Sequence, residues 1–483
     1  MIRQLSRSIR EYKTASLATP LLVSGEVVME CLIPFLIARL VNEVKSGCDM
    51  TRMLRYGLLL VLMAALSLAF GALAGCTCSK ASCGLARNLR KDMFYSIQDY
   101  SFENIDHFTT SSLVTRMTTD VTNVQNAYMM IIRTAIRAPL MLVFAFAMAF
   151  RMGGRMAWIF LFVVPFLGVG LALDVGQMSA LLTYSFMMLN SLMMVSMVFV
   201  MITMAGESGN RIAEVLSERS TLTDPPDPVE TVADGSVDFD DVSFKYAASA
   251  RRMVLQDIDL HIRSGETIGI IGGTGSSKSS LIQLICRLYD VTEGNVRVGG
   301  VDVRRYRLEA LRNQVAVVLQ KNVLFSGTIK ENLRWGNPDA TDEELVEACR
   351  VACADEFIRT FPKGYDTYIE QGGTNVSGGQ KQRLCIARAL LKRPKVLILD
   401  DSTSAVDTKT DAAIRKALRT CLPDTTKIII AQRTASVEDA DRILVLDGGR
   451  SHGMGTHAQL LRTDAIYREI YTSQNKEGTQ IEE

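Results

Sequence analysis

The sequence predicts an α-helical membrane domain followed by an α/β domain. Three observations predict this fold class. Only five side chains are charged between residues 131 and 205, five apolar stretches of membrane-spanning length lie in the first part, and strands alternate with helices in the second. The chain has 483 residues, too many for one hydrophobic core, so we expect more than one domain.

The apolar stretches lie near residues 17–40, 54–78, 127–150, 156–173 and 178–204. Each approaches the ~20 residues that a helix needs to cross the hydrocarbon core, and a soluble core would rarely supply five of them. Basic side chains precede the first stretch and follow the second, which places both flanks in the cytoplasm. The first stretch is too long for a cleavable signal peptide. We therefore expect an integral membrane protein.

Two segments delimit the domains. Residues 84–126 are polar with apolar positions at helical spacing, which predicts two helices projecting into the cytoplasm, with a solvated loop as the alternative. Residues 219–235 are rich in proline and lack a hydrophobic period, which indicates a linker. We therefore expect a membrane domain over 1–218, a soluble domain over 236–475 and a polar tail over 476–483.

The composition argues against two other classes of protein. The formal net charge is +1 and 22% of the residues are charged, so no basic surface for nucleic acid is predicted. The ten cysteines form no paired CxxC, and Cys349 and Cys353 lie one helical turn apart, as reduced thiols packed among hydrophobic side chains do. We predict neither nucleic-acid binding nor a cysteine metal site.

The strongest motif, IIGGTGSSKSSLIQL, leads from an apolar strand through a glycine-rich turn into a helix. This order is typical of a phosphate loop. Its backbone amides would hold the β- and γ-phosphates of ATP, Lys278 would offset their charge and the Ser279 hydroxyl would bind Mg²⁺. The predicted nucleotide contacts are Gly272, Gly273, Thr274, Gly275, Ser276, Ser277, Lys278, Ser279 and Ser280.

One position departs from the pattern G-x-x-x-x-G-K-[ST]. Ser277 stands where the pattern has its last glycine. If this position requires a positive φ, serine costs roughly 1 to 2 kcal/mol of strain. We expect ATP binding to be weakened but retained.

Downstream, the stretch NVSGGQKQRLCIARALLKRPKVLILDDSTSAVD adds an SGGQ segment and an apolar strand that ends in two aspartates. Together with the phosphate loop, this order resembles the nucleotide-binding domain of ATP-binding cassette (ABC) transporters over residues 236–475. The resemblance implies that two such domains sandwich ATP, each capping the nucleotide of the other with its signature segment. Ser-Gly-Gly at the start of a helix is itself a good anion site. The signature residues are Ser377, Gly378, Gly379 and Gln380.

The resemblance also implies roles for single residues. Tyr246 would stack on adenine, and Gln320 would contact Mg²⁺ and the attacking water. Asp407 would lie in the loop that crosses the dimer. Asp400 corresponds to the carboxylate on the Mg²⁺ side, held through water, and Asp401 occupies the position of the catalytic glutamate.

Two positions in this site depart from active family members. Asp401 is one methylene shorter than glutamate, and a displacement on the order of 1 Å can cost about a hundredfold in rate. Gln432, in IIIAQRTAS, replaces the switch histidine. The histidines all lie outside the nucleotide motifs: His107, His261, His452 and His457. In this family, such losses beside an intact SGGQ are typical of the slow half of an exporter with two different subunits. We expect a partner that keeps the glutamate and the histidine.

The membrane part departs from the family pattern as well. Membrane helices before a cassette on one chain resemble exporter half-transporters. With the N-terminus and the cassette both in the cytoplasm, the number of crossings must be even, yet five stretches are present. Relative to the family, a long segment between about Leu171 and Asp174 is absent, including the fifth span and the second coupling element. Alternatively, the stretch at 127–150, with its two arginines, lies on the membrane surface.

The sequence therefore predicts an ABC-type ATPase subunit that exports a hydrophobic or amphipathic substrate (drug, lipid or peptide) across a bacterial plasma membrane, with a second half-transporter as partner. Glu26 and Glu30 would suit a cationic substrate, although carboxylates near a wet bundle surface are an equal alternative. The alternative function is a transport-defective or regulatory subunit that binds ATP and contributes mainly its signature segment. A soluble cassette ATPase acting on nucleic acid is excluded by the apolar stretches.

Overall fold

The structure, a computed structural model, describes four ranges: residues 1–47, 49–153, 175–247 and 249–479. The chain divides into two units, which are Met1–Tyr100 with Asn104–Ser220, and Ser101–Glu103 with Thr221–Glu483. The described part of the first unit is helical and the second is α/β. This confirms the predicted fold class.

The helices up to residue 217 are α1 (Ile2–Arg7), α2 (Lys13–Lys45), α3 (Met50–Gln98), α4 (Phe102–Phe108), α5 (Thr110–Thr115), α6 (Val121–Ile132), α7 (Thr134–Gly153) and α8 (Val175–Ser217). A π-helical turn, Arg116–Asp120, joins α5 to α6. Residues 84–126 continue α3 and then form the short helices α4 and α5 and the start of α6.

Four helices in the described ranges are long and apolar enough to cross a membrane: Arg10–Lys45, Met50–Gln98, Thr110–Arg151 and Gly176–Ser217. They account for four of the five predicted stretches. The fifth, 156–173, and the predicted break between Leu171 and Asp174 lie outside the described residues. Large apolar side chains on these helices face outward, for example Leu58 and Phe199, each 73% exposed, as expected for a surface in contact with lipid.

The first two long helices run in opposite directions. Thr19 donates to Thr77 (3.0 Å) in one half of the pair, and Tyr56 donates to Glu43 (3.0 Å) in the other. Residue numbers therefore rise along α2 as they fall along α3, as in an antiparallel helical hairpin.

The third and fourth long helices form a second antiparallel pair. Arg211 donates to Asp120 at one end, and Ala149 packs in one cluster with Ala180 at the other. The ends of α7 and α8 that flank residues 154–174 therefore lie at the same end of the bundle. Four alternating helices give an even number of crossings, so the conflict expected from five stretches does not arise for the described helices.

An ion-pair triad joins α2 to α7. Arg137 donates to Glu26 Oε1 (2.5 Å) and to both oxygens of Glu30 (2.8 and 2.9 Å). The Glu26 side chain is only 8% exposed, and its Oε2 has no hydrogen-bond partner among the described residues. One guanidinium thus faces two carboxylates inside the first unit.

The strands of the second unit are β1 (Val237–Phe244), β2 (Leu255–Ile262), β3 (Thr267–Ile271), β4 (Glu293–Val298), β5 (Val301–Asp302), β6 (Val315–Val318), β7 (Gly327–Thr328), β8 (Tyr368–Ile369), β9 (Val396–Asp400), β10 (Thr426–Ile430), β11 (Arg442–Asp447) and β12 (Arg450–Gly455). Its helices are α9 (Lys278–Ile285), α10 (Leu308–Gln314), α11 (Ile329–Arg334), α12 (Asp342–Val351), α13 (Asp355–Thr360), α14 (Gly378–Leu390), α15 (Thr408–Cys421), α16 (His457–Thr463) and α17 (Ala465–Thr479).

The main sheet has the strand order β12-β11-β3-β10-β9-β6 and is parallel from β11 to β6. Its central strands β3, β9 and β10 are buried along their whole length, and their aliphatic runs suit strands covered on both faces. A smaller antiparallel sheet has the order β2-β1-β4-β5. Because the strands are parallel, their carboxyl ends meet at one edge of the main sheet, where α/β proteins bind ligands.

The alternating bundle predicts the sides on which two positions lie. In a chain without its native cysteines, Gln177→Cys, at the start of α8, and Ser111→Cys, in α5, should lie on opposite sides of the membrane, because the two positions are at opposite ends of the bundle. We expect an impermeant thiol reagent to label one of them in intact cells and the other only after permeabilisation. Labelling of both from one side contradicts this arrangement.

Candidate nucleotide site

The glycine-rich turn follows β3 and ends at the first residue of α9. Gly275 has a φ of 84° and Ser277 a φ of 70° with a ψ of 24°, so both are left-handed. Gly272 lets the Leu446 carbonyl oxygen approach the loop closely, because a Cβ at this position would lie 2.2 Å from that oxygen. At Gly273 and Gly275 a Cβ would have no neighbour within 4 Å, which leaves open space above the loop. The turn therefore has the form of a cradle with room for a ligand.

Lys278 bends back over this cradle. Its Nζ donates to the carbonyl oxygens of Gly272 (2.8 Å) and Gly273 (2.9 Å). Burial lowers the pKa of Lys278, and the nearby carboxylates of Asp400 and Asp401 act in the opposite direction. A half-buried ammonium group at a helix N-terminus suits a bound polyphosphate. The negative charge of the phosphates would stabilise the protonated lysine, which burial destabilises.

Ser279 and Asp400 form an oxygen pair beside the cradle. The Ser279 hydroxyl donates to Asp400 Oδ2 (3.0 Å), and Asp400 is the last residue of β9. Burial raises the pKa of Asp400, the charge of Asp401 raises it further, and the Ser279 hydrogen bond lowers it. A hydroxyl and a buried carboxylate are ligands that suit Mg²⁺, so the residues present fit Mg·ATP.

The three predicted catalytic residues meet at one oxygen atom. Gln320 and Gln432 each donate from Nε2 to Asp401 Oδ2, both at 3.2 Å. Asp401 has a φ of 46°, and its backbone amide donates to the Ile430 carbonyl oxygen (2.9 Å). The three residues follow the neighbouring strands β6, β10 and β9, so the parallel sheet brings them together. Among the described residues, the cluster contains no histidine.

Tyr246, predicted to stack on adenine, follows β1. Its hydroxyl is hydrogen-bonded to Ser280 (2.8 Å) on α9 and donates to Gln283 Oε1 (2.9 Å). The ring packs edge-on against Phe244 and Tyr289, with centroids 4.9 and 5.0 Å apart. The residue is still 39% exposed, so ring surface remains for a base beside α9.

The SGGQ segment opens α14. Ser377 caps the helix: its hydroxyl accepts from the Gln380 amide (3.3 Å), and Gln380 Oε1 accepts from the Ser377 amide (2.9 Å). Both Ser377 and Gly378 are exposed. In the described part of the chain, no hydrogen bond joins Ser377, Gly378, Gly379 or Gln380 to the phosphate loop of the same chain. The capping box thus uses the amides of Ser377 and Gln380 and leaves those of Gly378 and Gly379 at the start of the helix.

Asp407 caps α15, and its side chain accepts from the Thr410 amide (2.9 Å). Hydrogen bonds from the side chain and the backbone amide of Thr410 lower the pKa of Asp407. Sequence reasoning missed Gln382, which is 4% exposed and holds the loop between Asp401 and Asp407: it donates to Ser404 (3.3 Å) and accepts from the Ala405 amide (3.0 Å). No local signal distinguishes it from the other polar residues of α14.

The geometry defines a nucleotide-binding cassette that follows membrane-type helices, and comparison with known proteins agrees. The family described as ABC transporter matches residues 255–404, and the ABC transporter transmembrane region matches residues 21–173. The chain is 30% identical to the uncharacterised ABC transporter ATP-binding protein YfiB of Bacillus subtilis, over 95% of this chain and 96% of that protein. The putative multidrug export ATP-binding/permease protein YgaD of the same organism is 40% identical over 63% of this chain and 52% of that protein.

The chain belongs to the ABC transporters, carries a transmembrane region and an ATP-binding cassette, and is homologous to multidrug-type exporters. The cassette of this family binds ATP, and its hydrolysis is coupled to transport.

Length distinguishes the chain from its relatives. An uncharacterised ABC transporter ATP-binding protein of Mycobacterium tuberculosis is 31% identical over 99% of both proteins, in an alignment of 579 positions. The chain has 483 residues, so at least 96 aligned positions (579 less 483) have no counterpart in it. The match to the transmembrane region ends at residue 173.

Relief of strain at Ser277 should stabilise the folded cassette. Ser277→Gly removes an L-residue with a φ of 70°, and the serine side chain makes no capping bond that would be lost. Because this conformation belongs to the folded chain itself, we expect the free energy of unfolding to rise by about 1 kcal/mol. The melting temperature of the purified chain measures the change. Ser277→Ala is the matched control, since it removes the hydroxyl and keeps the strain. Equal melting temperatures of the glycine and alanine variants would contradict the strain argument.

The buried carboxyl of Asp400 should make the nucleotide-free protein less stable as the pH rises. Because its pKa is raised in the folded chain, ionisation of Asp400 opposes folding. This effect is absent below the ordinary pKa of an aspartate and complete above the raised value. We expect Asp400→Asn to raise the melting temperature at neutral pH, with a gain that shrinks towards pH 4. Asp447→Asn, at the exposed end of β11, is the control; a gain that does not depend on pH speaks against this explanation.

Proposed function

We propose that this chain is the ATP-binding subunit of an exporter with two different halves. Its own phosphate-loop site binds Mg·ATP and hydrolyses it slowly, while Ser377, Gly378, Gly379 and Gln380 complete the working site of the partner. The observation that carries the proposal is the cluster in which Gln320 and Gln432 both donate to Asp401 Oδ2.

The chemistry of this cluster favours slow turnover. A catalytic carboxylate must reach and polarise the attacking water, and Asp401 is shorter than glutamate by one methylene. The two amide hydrogen bonds that one of its oxygens accepts, at 3.2 Å each, orient this carboxylate but do not lengthen it. Gln432 can donate a hydrogen bond but cannot take up a proton near neutral pH as a histidine can, so it adds no positive charge as the γ-phosphate leaves.

The residues that would hold Mg²⁺ are Ser279, Asp400 and Gln320. The ion would offset the charge of the phosphates during transfer. Ser279 and Asp400 are already hydrogen-bonded to each other at 3.0 Å, so their oxygens need little rearrangement to bind it. Tyr246 would support the base and Lys278 the phosphates.

The exposed signature segment supports a second cassette as partner. The amides of Gly378 and Gly379, which the capping box leaves unused, form an anion site at the start of α14 that has no hydrogen bond to the phosphate loop of the same chain in the described structure. A partner with glutamate and histidine intact gives one slow and one fast site; two copies of this chain would give two slow sites. The cassette would lie in the cytoplasm of a bacterial cell, beneath the plasma membrane.

The length difference supports an incomplete membrane domain. At least 96 positions of a relative are missing, and the transmembrane match ends at residue 173, beside the break expected between Leu171 and Asp174. The missing segment would include the fifth span and the second coupling element. This observation favours a second candidate function, a regulatory subunit that binds ATP and leaves most of the transport pathway to its partner.

The lining of the bundle supports the proposed substrate class. Glu30 and Arg137 border a cavity of about 440 Å³ that is otherwise lined by aliphatic, methionine and small polar side chains, among them Met187, Met194 and Asn190. With Glu26, the triad sets two carboxyl groups against one guanidinium. A hydrophobic or amphipathic substrate with a cationic group fits this lining.

Restoration of the active pattern tests the slow site. The double variant Asp401→Glu with Gln432→His should raise the ATPase rate of the purified full chain by about a hundredfold. The longer side chain brings the carboxylate within reach of the attacking water, and the histidine supplies a titratable hydrogen-bond donor. Phosphate release in detergent or liposomes measures the rate, and Asp401→Asn with Gln432→His is the control without a base.

Brisk turnover by the unmodified chain would sink the slow-site assignment. If the double variant gains nothing although it binds ATP normally, the slow rate has another cause, and the regulatory function gains support. Co-expression with a complete half-transporter then separates the two candidates, because only an exporter subunit adds substrate efflux.

A further inference from the structure

The segment that carries Gln432 lies beyond the end of its strand. The sheet ladder of β10 continues to Ala431, whose amide donates to the Ile270 carbonyl oxygen (3.2 Å). Gln432 and Arg433 follow and are exposed. The Gln432 side chain nevertheless reaches Asp401, so another group must orient this peptide once the ladder has ended.

A single amide on the C-terminal helix holds the segment on both sides. Gln474 Nε2 donates to the Gln432 carbonyl oxygen (2.7 Å). Gln474 Oε1 accepts from the backbone amide of Thr434 (2.9 Å) and from its hydroxyl (3.1 Å). Thr434 is buried and Gln474 is half-buried, so this contact is partly shielded from water.

Helix α17 presents Gln474 from a fixed position. Tyr467, Ile470 and Gln474 are spaced i, i+3 and i+7, which places them on one face of the helix. Tyr467 is fully buried and its hydroxyl is hydrogen-bonded to His457 Nδ1 (2.7 Å) on α16, while Ile470 packs against the core. The apolar part of the face anchors the helix, and its polar end contacts the segment after β10.

We propose that Gln474 is a positioning residue of the ATP site. In the described structure its hydrogen bonds to the nucleotide motifs go only to the segment Gln432–Thr434. It acts by fixing the backbone of Gln432 so that the side-chain amide of Gln432 reaches Asp401. The inference rests on the proposed function only in taking hydrolysis at Asp401 as the reaction that is measured. It makes α17 part of the hydrolytic machinery of this cassette.

The test is a double-mutant cycle in the full chain, read by single-turnover hydrolysis of radiolabelled ATP, which detects slow sites. Gln474→Ala should lower the hydrolysis rate about fivefold and leave the ATP concentration at half-saturation unchanged, because Gln474 touches no phosphate. In the Gln432→Ala background, Gln474→Ala should cause no further loss.

Two further variants separate positioning from general stability. Gln474→Glu keeps the acceptor for Thr434 and loses the donor to Gln432, so its rate should fall between those of the unmodified chain and Gln474→Ala. Thr472→Ala, on the same helix, removes a hydroxyl that donates to the Arg468 carbonyl oxygen within α17 and should change nothing. Hydrogen exchange gives a readout that does not need turnover: the Thr434 amide should exchange faster in Gln474→Ala.

Equal rate losses in both backgrounds, unchanged exchange at Thr434, or a full rate in Gln474→Ala would each overturn the proposal. These outcomes differ from a failure of the proposed function. A chain that hydrolyses ATP rapidly refutes the slow site, but the same cycle still shows whether Gln474 acts through Gln432.

Discussion

The register of β10 between β3 and β9 is the constraint on which the nucleotide site depends. Ile430 lies opposite Ile270 on one side and opposite Asp400 on the other. The phosphate loop, Asp400 and the segment of Gln432 therefore leave the sheet at the same level. Parallel pairing sets this level by backbone hydrogen bonds and buried aliphatic side chains, which carry no chemistry of their own. A slip of one strand would separate these groups and break the cluster at Asp401.

Local patterns were enough to predict much of this molecule. The phosphate loop, the capped SGGQ helix and the aspartates after β9 are contiguous in sequence, so each motif contains its own geometry. Four of the five apolar stretches correspond to long helices. The condition set for Ser277 is met, since its φ is 70°. The role of the cassette of this chain in a pair of two different subunits stays a prediction.

The remaining features depend on contacts between residues far apart in the chain. Gln320 and Gln432 meet at Asp401 only because β6, β9 and β10 are neighbours, and the sequence gives no strand order. Gln382 and Gln474 are helical glutamines with no distinguishing pattern, and their amides become important only when a particular loop packs against them. The Glu26–Arg137–Glu30 triad likewise joins two spans. The hydrophobic periodicity of the sequence does not show that these spans are neighbours.

The shared end at which α7 stops and α8 begins determines on which side of a membrane the chain continues after the bundle. Ala149 and Ala180 lie in one cluster at that end. The last turns of α8 therefore lie at the opposite end, where Arg211 donates to Asp120. A domain that follows α8 would face the compartment from which the first helix of this pair departed, without a further crossing.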